Sequence, residues 1–125
     1  MNTPNIIRFR TAAIGVVLVL ALASIVSAHA FLDHSEPKVG SDISSPPTEV
    51  KIWFTQQVEP AFSKIQVFDG AGNEVDKKDS HLDSADKHLL IVSLPPISAG
   101  TYKVAWRVVS VDTHKTQGDF KFAVK

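Results

Sequence analysis

Five histidines (His29, His34, His81, His88 and His114) are the residues of this 125-residue chain best suited to hold a metal. Asp112 and His114 stand two apart. In an extended strand such a pair points to one side with Cα atoms about 6.6 Å apart, so a carboxylate and an imidazole can reach one ion. Alone, the pair reads as a polar strand end with an exposed Asp and His, because a D-x-H spacing is a weak motif. His29 changes this if it is the first residue of a processed chain. A free α-amine beside its own imidazole makes a chelate, and the amine pKa near ~7.7–8.0 lets a metal displace its proton at neutral pH. Adding Asp112 and His114 gives three nitrogens and one carboxylate oxygen. A tetragonal N,O set suits Cu(II), whereas Zn(II) accepts the same atoms in tetrahedral form. Cu(I) prefers sulfur. The chain has no cysteine, and its one methionine is Met1.

The first residues supply the condition on His29. Met1 to Arg10 carries Arg8 and Arg10 and no acid, and the fifteen residues Ala12 to Val26 are uncharged. Small residues follow at Ser27, Ala28, His29 and Ala30. A basic start, a short apolar run and a small-residue exit describe a secretory signal peptide. The run is short of the ~20 residues a membrane-spanning helix needs. Cutting after Ala28 makes residues 1–28 the signal and leaves His29 first; cutting after Ala30 fits the A-x-A rule and discards His29. These rules leave both sites open.

Residues 29–125 keep 11 of the 13 bases and all 13 acids, a net charge of −2. That balance predicts no electrostatic footprint for nucleic acid or acidic lipid. The absence of cysteine excludes disulfide scaffolds, thiolate metal sites and cysteine nucleophiles. No phosphate-binding loop, nucleophile elbow or H-E-x-x-H helix is present.

What must position these groups is a set of strands. Glu49–Thr55 puts Val50, Ile52 and Phe54 on one face; Gly100–Ser110 alternates Tyr102, Val104, Trp106 and Val108 against polar neighbours; Asp119–Lys125 alternates Phe120, Phe122 and Val124. A period of two marks half-buried strands. Lys64–Phe68 and Leu89–Leu94 read as two more, the second ended by Pro95-Pro96. Short strands between Pro/Gly/Ser/Asp turns, over roughly 100 residues, predict an all-β, antiparallel sandwich of about seven strands. Trp53, Trp106, Phe54, Phe68, Phe120 and Phe122 are the expected core. His34 is expected in a turn, and His81 and His88 in a solvated loop with Asp79, Asp83 and Asp86. Ser110 is expected to bond to the backbone.

The start HAFLDHSEPKVGS, the strand VKIWF and the segment GTYKVAWRVVSVDTHKTQGDFKF carry a resemblance. Together with the strand order, they make the chain similar to the CopC family of exported copper-binding proteins over nearly all of residues 29–125. The most specific parts are His29 followed by Ser35-x-Pro37-x-x-Gly40, and Trp106-Arg107-x-x-Ser110-x-Asp112-x-His114. The resemblance implies an immunoglobulin-like Greek-key sandwich, cleavage after Ala28, and Cu(II) held by the amine and imidazole of His29 with Asp112 and His114. It further implies a periplasmic, non-enzymatic carrier or buffer that hands copper to a CopD-type membrane protein. Two features depart from the family pattern. The methionine-rich Cu(I) loop of its two-site members is missing, and Gln56 stands where members often carry an acid, with Glu59 nearby. Two other functions fit parts of the sequence. A metal-independent immunoglobulin-like interaction domain requires a start other than His29. A copper-brace oxidative enzyme requires an open metal position, which Asp112 would block.

Overall fold

The computed structural model describes residues 30–125, so the signal-peptide reading and His29 lie outside the described residues. The alternating segments form strands, in chain order β1 (Leu32–Glu36), β2 (Asp42–Ile43), β3 (Glu49–Phe54), β4 (Lys64–Phe68), β5 (His81–Leu82), β6 (Leu89–Ser93), β7 (Gly100–Val109) and β8 (Lys115–Val124). They make two four-stranded sheets, ordered β1-β3-β6-β5 and β2-β8-β7-β4. All pairs are antiparallel except β2 with β8. The expected two-sheet sandwich is present. Five of the eight strands are the segments the sequence showed; β1 carries no clean alternation, and β2 and β5, two residues each, are too short to show one.

The core lies between the sheets. Val50, Ile52 and Phe54 of β3 face Tyr102, Val104, Trp106 and Val108 of β7 and Phe120, Phe122 and Val124 of β8, all buried. Phe54 meets Trp106 edge-to-face with ring centroids 5.2 Å apart. The Tyr102 hydroxyl donates to the Ser98 carbonyl at 2.6 Å, tying the strand to the corner that feeds it. Ser35-x-Pro37-x-x-Gly40 carries the chain from one sheet to the other. Buried Ser35 donates to the Pro37 carbonyl at 2.8 Å, and Gly40, at φ 73°, donates its N–H to the Lys121 carbonyl. A glycine takes that φ without steric cost.

Two expected core aromatics lie elsewhere. Trp53 alternates with Ile52 and Phe54, so it points outward; it is half-buried and stacks on His34, centroids 4.3 Å apart and planes 10° off parallel. Phe68 follows inward-facing Val67 and lies half-buried on the outside of β4. His34 is therefore a strand residue paired with Trp53, not a turn residue. His81 likewise sits in β5 rather than in a loop.

Gly118 of β8 lies directly opposite Trp106. A Cβ there would stand 2.6 Å from the indole Cζ2. Gly118→Ala is expected to cost about 1–3 kcal/mol through displacement of a packed indole. A urea midpoint unchanged from the parent would contradict this.

Acid sensitivity follows from carboxylates spent on the backbone. Hydrogen bonds from Ser93 hold the Asp79 carboxyl below its ordinary 3.8, and the Asn73 N–H does the same for Asp69. Both groups are more acidic in the folded chain. Their stabilisation is complete above pH 3.8 and fades as pH falls through the lower folded values. A variant carrying Asp69→Asn and Asp79→Asn should lose stability less steeply below pH 4 (about the unfolded value) than the parent in urea titrations; parallel curves would refute the assignment.

Candidate metal site

β7 and β8 form a hairpin, and Asp112 and His114 occupy its turn. Ser110 donates its N–H to the His114 carbonyl at 2.9 Å, closing a three-residue loop of Val111, Asp112 and Thr113. Thr113 takes φ 73°. Such loops need a left-handed residue in their last position. An extended strand therefore does not bring Asp112 and His114 together. The chain reverses between them, and the two side chains meet over the turn.

Their contact is direct. His114 Nδ1 stands 3.3 Å from Asp112 Oδ1, with each side chain about half exposed. Two donors bound at ~2.0–2.1 Å to one ion lie about 2.9 Å apart at a right angle and about 3.3 Å apart at a tetrahedral one. At 3.3 Å the pair stands at the tetrahedral value and beyond the right-angle one, and the two groups also bond to each other. Ser110, fully buried, orders it from beneath: its hydroxyl donates to Asp112 Oδ1, and its oxygen accepts the His114 N–H at 3.2 Å. The Ser110 hydroxyl first, and the His114 ring second, hold the Asp112 carboxyl below its usual range, while slight desolvation acts the other way. The carboxyl is thus ionised at neutral pH, as a ligand must be. Ser110 bonds to the backbone of His114, as the sequence suggested, and also to the Asp112 carboxylate, which the sequence reading did not foresee. The Ser-x-Asp spacing could have signalled this, since a serine hydroxyl reaches a carboxylate two residues on.

The turn is held at one end of the sandwich. Val58 bridges to Ser110, and the Val111 N–H donates to the Gln57 carbonyl at 3.1 Å. The first described residue arrives at the same end. Ala30 is fully buried, and its carbonyl accepts a 2.6 Å bond from Thr116 Oγ1, two residues past His114. Phe31 and Thr55 then exchange two bonds, Phe31 N–H to Thr55 Oγ1 at 3.0 Å and Thr55 N–H to the Phe31 carbonyl at 2.8 Å. No sequence pattern announced these anchors, because they join residues 86 and 24 positions apart.

Other candidates do not join the pair. Among the described residues, no three His, Asp or Glu side chains converge on one point. Glu59 forms no group of three with Asp112 and His114 among the described residues, and His34 lies on β1 against Trp53. The Asp79, Asp83 and Asp86 carboxylates accept backbone N–H bonds from Ser93, Ala85 and His88, which ties them to their own loops. The main surface depressions of the described residues are lined by others; one holds Glu36, Pro37, Ile43 and Pro47.

Residues 32–125 match the model of the CopC domain. Copper resistance protein C of Xanthomonas campestris pv. juglandis is 34% identical over 127 aligned residues, spanning 94% of this chain and 99% of that one. Protein YobA of Escherichia coli strain K12 is 35% identical over 101 residues, spanning 80% of this chain and 82% of that one. The crystal structure of CopC from Methylosinus trichosporium OB3b superposes with a TM-score of 0.73 at 31% identity, over 78% of this chain and 94% of that one. The fold, the domain match and the sequence identity agree along almost the whole sandwich, and the relatives that carry a functional name are copper resistance or copper transport proteins, not enzymes. The chain belongs to the CopC family.

Proposed function

We propose that the exported protein begins at His29 and carries Cu(II) on the His29 amine and imidazole, Asp112 and His114. The observation that carries this reading is the anchoring of Ala30. Its buried carbonyl is bonded to Thr116, beside the Asp112–His114 turn. Bonded residues have Cα atoms about 3.8 Å apart, so an amine on the residue before Ala30 is tethered near the turn. A donor set of nitrogens and one carboxylate oxygen, without sulfur, selects Cu(II) by ligand type and by the Irving–Williams order.

Four protein donors fill the plane of a tetragonal ion. No good position is left for oxygen or a substrate, so the chemistry is holding and release, not turnover. The protein acts in the periplasm as a copper carrier or buffer and passes the ion to a membrane protein of the CopD type. Gln56, in place of an acid, removes one outer partner of the site and favours release. N-terminal sequencing of the exported protein, followed by titration with Cu(II), tests this. A start at His29 and one equivalent bound, with a nitrogen-rich cupric spin-resonance spectrum, are the expected results. A start at Phe31 would sink it.

A further inference from the structure

The net charge of −2 hides a segregation that the pleat creates. Outward-facing positions of the β2-β8-β7-β4 sheet place Lys64 opposite Arg107 and Lys103 opposite Lys121, with Lys115 further along β8. All five are exposed. The acids among them are Asp119 and Glu74, the latter accepting a 3.2 Å bond from outward-facing Gln66 and bridging to Phe68; at the margin, Asp42 pairs with Lys125 at 3.8 Å. With that pair set aside, the face holds five bases and two acids, and the rest of residues 29–125 holds five bases and ten acids. A net +3 face therefore backs onto a net −5 remainder. Net charge averages over two sides that a strand separates, so the balance of the whole chain does not reveal this face.

Like charges directly opposite on a sheet destabilise it, and this face carries two such pairs. Two features of the face select the partner. It is the open side of a sheet, and the exposed large apolar side chains, Phe31, Val39, Phe62 and Val111, all lie in segments off its strands; the one large aromatic on it, Phe68, is half-buried beneath the Lys103 ammonium at 5.7 Å. Protein interfaces rest on buried apolar and aromatic anchors at their centre. A layer of phosphate headgroups needs only an array of cations. At physiological salt the screening length is about 8 Å, less than the ~10 Å between packed sheets, so a surface touching the basic side is shielded from the acidic one.

We propose that the outer face of the β2-β8-β7-β4 sheet is a docking surface for the headgroups of an anionic lipid bilayer. Docking is peripheral: among the described residues no helix is long and apolar enough to cross a membrane. It lays β7 and β8 along the bilayer and leaves their turn, with Asp112 and His114, at the edge of the contact. The docking does not depend on the copper reading.

The test uses residues 29–125 without metal, since every core residue lies between Ala30 and Val124. Sedimentation with vesicles of phosphatidylcholine and phosphatidylglycerol should recover the protein, and vesicles of phosphatidylcholine alone should not. Raising the salt should release it. Each Lys or Arg near such a surface contributes about fivefold to partition, so Lys103→Gln with Lys121→Gln should weaken it about 25-fold. That variant relieves a like-charge pair, and its thermal unfolding should remain cooperative at no lower a midpoint. Lys51→Gln with Lys87→Gln, on the other sheet's side, should leave partition unchanged. Equal recovery on both vesicle types, or equal losses in the two variants, would overturn the proposal. Binding to soluble polyglutamate without binding to the anionic vesicles would overturn it in favour of an acidic protein partner.

Discussion

A chain bearing one extra residue ahead of His29 is expected to bind Cu(II) roughly 100-fold or more weakly than the processed protein, at or above the upper end of the ~10–100-fold that outer partners of a metal cost. The extra peptide bond turns the terminal amine into an amide. One nitrogen donor is lost, and the ring it closes with the His29 imidazole is lost with it. No core residue is touched, since Ala30 keeps its place against Thr116. The two proteins should therefore unfold at the same urea concentration while differing in a competition titration against a copper chelator. Equal affinities would show that the amine is not a donor.

His114→Ala is expected to have the second large effect, again roughly 100-fold or more on Cu(II) affinity, with little cost in stability. The ring is about half exposed, and the backbone bonds that close the hairpin, Ser110 N–H to the His114 carbonyl and His114 N–H to Ser110 Oγ, do not need it. The spin-resonance spectrum should lose one nitrogen coupling. Ser110→Ala would fall between this variant and the parent, because it removes the hydroxyl that steadies Asp112 without removing a ligand. Unchanged affinity in His114→Ala would mean that the hairpin turn is not the copper site.

Much of the fold was legible because strand alternation is a local property. Tyr102, Val104, Trp106 and Val108 could be assigned to one face by parity alone, and they are buried. The same rule, applied strictly, would have placed Trp53 and Phe68 outside; hydrophobic size misled where parity did not. β2 and β5 were not visible, since two residues carry no period. Asp112 and His114 stood out as residue types at a short spacing, but their geometry did not. Thr113 is β-branched, and nothing in its identity announces a left-handed φ.

The order of residues by itself determined that this protein is a sandwich of short strands, that it offers nitrogen and oxygen donors but no sulfur, and that an Asp-x-His pair, which the structure places in a hairpin turn, follows the Gly100–Ser110 strand. These follow from side-chain chemistry and from a two-residue period, both read over a few positions. Only the tertiary structure decided that Ala30 meets Thr116 beside that hairpin, and that five cations from three strands share one face. Both depend on which distant strands pair and in what register, which is settled by burying the whole core at once and not by any local run of residues.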